Sequence, residues 1–160
     1  MKRGSTLFLK LVVLLIGIVM LALCIVGLPW IAIHTNEETP AFNRALYPIL
    51  ISMFISAVPF FIALYQAWKV LAYIDKGQAF SMLSVTALKR IKYCAAIISG
   101  LYLLTSPLFY YLAQKDDAPG ILLIALIIMF ASIIIATFAA LLQRLLQEAI
   151  DIKSENDLTV

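Results

Sequence analysis

The sequence predicts an all-α fold: a polytopic bundle of four transmembrane helices, both termini cytoplasmic, with a short amphipathic helix in the cytoplasmic loop. Three observations lead there. First, 64% of the 160 residues are hydrophobic and only 13% are charged, about half the ~25% charge of a soluble globular domain. The mean hydropathy is +1.02. A soluble domain of this size leaves roughly a third of its chain surface in water, so it could not hide that much apolar surface. Soluble enzymes, DNA-binding domains and disordered tails are excluded. Second, residues 11–33, 45–68, 93–114 and 118–143 contain no Asp, Glu, Lys, Arg or His. Third, the 12 Lys and Arg residues fall very unevenly between the two sides these runs define.

Each run exceeds the ~20 apolar residues that cross a hydrocarbon core of about 30 Å. In lipid a helix satisfies its own backbone groups, and a barrel would show short alternating segments, which these runs do not. The spans are placed at about 9–33, 45–70, 93–113 and 119–143 of a single membrane domain, 1–160, with a cytoplasmic tail over 144–160. The first run is longer than the 7–15 residues of a signal-peptide core, so it is expected to remain as a permanent span.

Orientation follows from Lys and Arg near the span ends. The start of the chain carries Lys2, Arg3 and Lys10, the second connection carries Lys69, Lys76, Lys89, Arg90 and Lys92, and the tail carries Arg144 and Lys153. These segments share one side. The other side has only Arg44 and Lys115, so the ten-to-two bias places both termini in the cytoplasm. An anionic inner leaflet is the lipid surface that such a face attracts. Trp30, Tyr47, Tyr110 and Tyr111 are expected at the outer interface, and Trp68, Tyr73 and Tyr93 at the inner one. Pro59 and Pro107 lie inside spans two and three. Each removes a helical hydrogen bond and is a candidate hinge.

Between the spans, Asp75-Lys76-Gly77 reads as a turn and Ser81 as a helix N-cap. Phe80, Leu83, Ala87, Leu88 and Ile91 then recur at helical spacing, with Lys89, Arg90 and Lys92 mostly off that side. This predicts an amphipathic helix that lies at the interface or runs straight into span three. Past Gln143, Leu142, Leu145, Ala149 and Ile152 step by three, four and three residues. The fourth helix should continue two to three turns into the cytoplasm with an apolar seam, for which the nearest cover is the Phe80 to Ile91 segment. Residues beyond Lys153 are expected to fray.

Chemistry is sparse. The four charge-free runs hold no acidic or basic side chain, which argues against an ion-coupled transporter and an intramembrane hydrolase. The single histidine, His34, with Glu37 and Glu38 forms a weak metal-like cluster on a solvated loop, and neither a metal nor a cofactor is expected. Small residues four apart, such as Ser52 and Ser56 or Ala96 and Gly100, suit close helix packing within the bundle or between copies of it. Cys24 and Cys94 differ too much in depth for a disulfide.

Three segments carry a family likeness. They are Lys2-Arg3 with the apolar run to Trp30, the stretch Asp75-Lys76-Gly77-Gln78-Ala79-Phe80-Ser81 leading to Ala87-Leu88-Lys89-Arg90-Ile91-Lys92-Tyr93, and the closing Ile152-Lys153-Ser154-Glu155-Asn156-Asp157-Leu158-Thr159-Val160. Together they resemble the bacterial membrane family catalogued as domain of unknown function 2975, over almost the whole chain. The resemblance implies four spans and no established catalytic residues. Many members are encoded beside a small helix-turn-helix regulator, which implies a cytosolic partner.

The expected function is therefore that of a non-enzymatic sensor or tether for a cytosolic partner such as that regulator, without direct nucleic-acid binding. Phe80, Lys89, Arg90 and Lys92 are the expected contacts, with Leu158 and Val160 as a tail contact. The alternative is an oligomeric small-molecule transporter or channel subunit, lined by Ser52, Ser56, Ser99, Thr105 and Ser106.

Overall fold

The computed structural model describes residues 3–34, 40–115 and 117–158. Among them every regular element is helical: α1 (Arg3–Ala22), a π-helical turn (Leu23–Gly27), α2 (Leu28–His34), α3 (Pro40–Asp75), α4 (Met82–Lys115) and α5 (Pro119–Leu158). Four helices are long and apolar enough to cross a membrane: Gly4–His34, Asn43–Asp75, Met82–Lys115 and Pro119–Leu158. The fold is thus the expected four-span helical one. The first span is one rod built of α1, the π turn and α2.

The helices outrun the bilayer. At 1.5 Å per residue the 36 residues of α3, 34 of α4 and 40 of α5 reach about 54, 51 and 60 Å, against a hydrocarbon core of about 30 Å. Most of the excess lies at the end where α1 starts and α5 finishes, the end rich in Lys and Arg. The amphipathic stretch after Phe80 is not a separate helix. It forms the opening turns of α4 and runs without a break into span three. The tail is not frayed either: α5 stays helical through Leu158.

The turns explain how α3 reverses into α4. Gln78 N–H donates to Tyr73 O at 2.7 Å, Gly77 N–H to Ile74 O at 3.1 Å, and Gly77 adopts φ +72°. This is a Schellman ending with glycine at the left-handed position. Ser81 stands at the N-cap position and its carbonyl accepts from Ser84 and Val85 N–H. Its hydroxyl, however, donates to Gln78 O at 2.7 Å, so it braces the turn instead of capping the helix. At the opposite end Ala118 N–H donates to Ala113 O, with Asp117 at φ 49°, a second reversal of the same kind.

Packing follows chain order: α1 lies on α3, α3 on α4, and α4 on α5. α4 is the central helix. Its buried line runs Ser84, Ala87, Cys94, Ile98, Tyr102, Phe109, Leu112, steps of three, four or seven that keep one face inward. α5 answers with Ala125, Met129, Ser132 and Ala139. These small or flexible side chains let the two backbones approach, which in lipid is what drives association. The largest core cluster joins Leu28, Ala45, Leu46, Ile49, Leu50, Ile98, Tyr102, Phe109, Leu112, Ala125 and Met129, and so occupies the half of the bundle away from the basic end. The first span is the least embedded; its buried residues are Thr6 and Leu28.

Candidate functional site

The basic end carries the features that the bilayer does not explain. Three lysines mark the level at which the helices leave the hydrocarbon, each with its ammonium over an aromatic ring: Lys10 over Trp68 at 5.7 Å, Lys69 over Tyr65 at 4.7 Å and Lys92 over Tyr93 at 4.9 Å. Such pairs suit the headgroup layer, where a ring and a cation both find their medium. Lys10 also forms an ion pair with Asp75 at 2.7 Å, which ties the start of span one to the end of span two. A cavity of about 490 Å³ lies beside it, lined by Leu7, Lys10, Asp75 and Lys76.

Beyond that level α3, α4 and α5 stand out together. Lys92 Nζ donates to Gln143 Oε1 at 3.1 Å, which locks α4 to α5 where their charge-free runs end. On the far side of this bond a groove of about 340 Å³ opens between the three helices, lined by Val70, Phe80, Leu88, Leu142, Leu145 and Leu146. The seam on α5 therefore meets Phe80 and Leu88, the cover that periodicity assigned to it. The match is incomplete. Ala87 is buried and Leu88 and Ile91 are half-buried, but Phe80 and Leu83 turn outward and stay exposed. Phe80 in the turn before α4, and Leu83, Thr86, Lys89 and Arg90 on α4 itself, are thus exposed and combine apolar and cationic groups.

The structure separates the residues named as contacts. Phe80, in the turn before α4, and Lys89 and Arg90, on α4, are exposed, whereas Lys92 is half-buried and engaged with Gln143. Leu158 is 83% exposed at the tip of α5, about 22 Å beyond Gln143, and Val160 lies outside the described residues. Pro59 is buried and Pro107 exposed, each inside an unbroken helix. Pro107 leaves the carbonyl of Leu103 without its helical N–H, and Ser106 Oγ donates to that carbonyl at 2.7 Å.

At mid-depth Tyr102 of α4 and Ser56 of α3 are both buried. Most hydroxyls in the spans return to their own helix: Ser52 to Ile49 O, Ser56 to Met53 O, Thr105 to Leu101 O, Ser132 to Ile128 O and Thr137 to Ile133 O. Both cysteines are free, and Cys94 is buried between helices, out of reach of lipid. At the other end His34 stacks on Trp30 at 4.3 Å, and its Nδ1–H donates to Trp30 O; Glu37 and Glu38 lie outside the described residues.

Sequence reasoning did not find the π turn, the Lys10–Asp75 pair or the Lys92–Gln143 bond. The pair had a signal in principle, since two opposite charges flank spans that must run antiparallel. The π turn has none in residue type beyond Gly27 and the following Leu28-Pro29.

Comparison with known proteins is consistent with a membrane role. The family described as "Protein of unknown function (DUF2975)" matches residues 30–160. A curated protein from Bacillus subtilis (strain 168), "Uncharacterized membrane protein YoaS", is 57% identical over 160 residues, all of this chain and all of that one. No solved structure matches.

Proposed function

The chain belongs to the DUF2975 family, and from that premise we propose that it is a non-enzymatic sensor or tether of the bacterial cytoplasmic membrane, with both termini inside. In this reading the basic end is cytoplasmic, held there by its excess of Lys and Arg and by anionic lipid. It presents the segment from Phe80 to Arg90 to a cytosolic protein, and the small helix-turn-helix regulator that the family resemblance brings in is the first partner to try.

One observation supports this reading above the rest. Phe80 is 64% and Leu83 52% exposed in the same segment as the exposed Lys89 and Arg90, past the Lys92–Gln143 level where lipid no longer covers apolar side chains. An exposed aromatic in one segment with cations is the composition of a protein contact. The transporter or channel alternative needs hydroxyls that face a shared lumen, and most of these bond back to their own helix. The test is a pulldown of the neighbouring regulator from detergent extracts. The intact chain is compared with a deletion after Lys153 and with Phe80→Ala combined with Lys89→Glu and Arg90→Glu. Capture by the intact chain and loss in the triple variant is the expected result. No capture by any version would remove the reading.

A further inference from the structure

α5 carries two seams, one packed along its length inside the bundle and one largely open. The first runs Ala125, Met129, Ser132, Ala136, Ala139, Gln143, Leu146, Ile150, in steps of four and three, all buried or half-buried. The second lies about 100° around the helix and runs Ile135, Phe138, Leu142, Leu145, Ala149, Ile152, Asn156, in steps of three and four without a break. Its large apolar members are exposed. For Ile135 and Phe138 lipid is cover enough. Leu145 at 52% and Ile152 at 66% lie past the Lys92–Gln143 boundary and have no such cover.

A strict three-four repeat is the seam of a coiled coil, with Leu142, Ala149 and Asn156 at the a positions and Leu145 and Ile152 at the d positions. We propose that a second copy of this chain occupies it, so that two α5 extensions form a parallel two-stranded coiled coil on the basic end. Two copies share one orientation in the membrane, because the same charge bias fixes both, and their fourth helices must therefore run parallel. The flanking charges fit that register, although Glu148 also pairs with Arg144 of its own helix at 3.5 Å. Glu148 takes a g position and Lys153 the e position of the next heptad, so Glu148 of each copy faces Lys153 of the other, twice by symmetry. Asn156 at an a position is the residue type that favours two strands in register. The groove beside the seam has the same reading. Leu142, Leu145 and Leu146 form one of its walls and Phe80, Leu88 and Val70 the rest, and the partner's leucines would fill it. This inference does not depend on any cytosolic partner.

The test uses disulfide trapping in native membranes, on a full-length chain with Cys24→Ala and Cys94→Ala. Leu145→Cys and Ile152→Cys, each oxidised separately, should give a band at twice the 17.8 kDa monomer. Ser154→Cys, on the opposite face of α5, should not. Lys153→Glu should cut the Leu145→Cys dimer several-fold, and Glu148→Lys added to it should restore most of the yield. A second measurement needs no substitution: a zero-length carbodiimide cross-link between Glu148 and Lys153, read on mixed heavy- and light-isotope chains, should join one of each. Monomer at both seam positions, or equal yield at Ser154→Cys, would overturn the proposal and leave the groove to another protein. A Glu148–Lys153 link found only within single chains would overturn it too.

Discussion

Gly77 and Gly100 have the same side chain and opposite roles. Gly77 sits at φ +72°, and an added Cβ would meet no atom within 4 Å. Space is not its constraint; backbone geometry is. An L-residue in that conformation costs about 1–2 kcal/mol. Gly77→Ala should therefore destabilise the chain by about 1 kcal/mol, measured as a lower melting temperature in a fixed detergent. Gly100 is in mid-helix with equally open space, and there alanine gains helix propensity of up to about 1 kcal/mol. Gly100→Ala should leave the melting temperature unchanged or raise it, and a loss at both positions would mean that steric room had been misjudged. Lys10 and Asp75 pose a different question at the same scale. Their side chains are 21% and 30% exposed at 2.7 Å, so a double-mutant cycle to alanine should give a coupling of about 0.5–1 kcal/mol that shrinks with salt.

Among the elements, α4 shows how a proline is absorbed. Pro107 deprives Leu103 O of its usual donor, and Ser106 Oγ replaces it at 2.7 Å. Ser106→Ala should cost about 0.5–1.5 kcal/mol, the net worth of one hydrogen bond. In a Pro107→Ala background the same change should cost close to nothing, because the helix N–H has returned. Equal costs in both backgrounds would show that the hydroxyl merely doubles an existing bond. α5 makes the complementary point about packing. Ala139 is 3% exposed where α5 meets α4, and a larger residue there pushes two backbones apart. Ala139→Leu should destabilise by about 1–3 kcal/mol. The same change at Ala131, on the exposed side, should be tolerated.

The whole molecule is a row of four antiparallel helices whose contacts follow chain order. The main core fills the half away from the basic end, and the groove and the segment from Phe80 to Arg90 occupy the basic end itself. If that end is cytoplasmic, a thiol at Phe80→Cys, on the same cysteine-free chain, should react with a membrane-impermeant reagent only after the cells are opened. Labelling in intact cells would invert the topology and remove the premise of the proposed function.

Much of this architecture was legible in the residues, and the reason is local. Transfer of a side chain from water to lipid is close to additive, so runs such as 118–143 announce a span without reference to any neighbour. The turn at Asp75-Lys76-Gly77 is similarly local, since only glycine takes that φ cheaply. The apolar seam past Gln143 was also readable, because periodicity is a property of one helix. The candidate site was readable only in outline. Phe80, Lys89 and Arg90 stood out as charge and aromatic residues beyond a span, but nothing in their order told that Lys92 turns inward to Gln143 while Leu83 turns outward.

The sequence by itself thus determined that the chain enters the bilayer, how many times, and where each helix is polar enough to leave it. Tertiary structure alone decided which face of each helix meets another. In lipid an apolar side chain gains no hydrophobic energy by choosing a neighbouring helix over an acyl chain, so hydropathy is silent on the matter. Close packing of Ala125, Ser132 and Ala139 against α4, and single bonds such as Lys92 to Gln143, settle it.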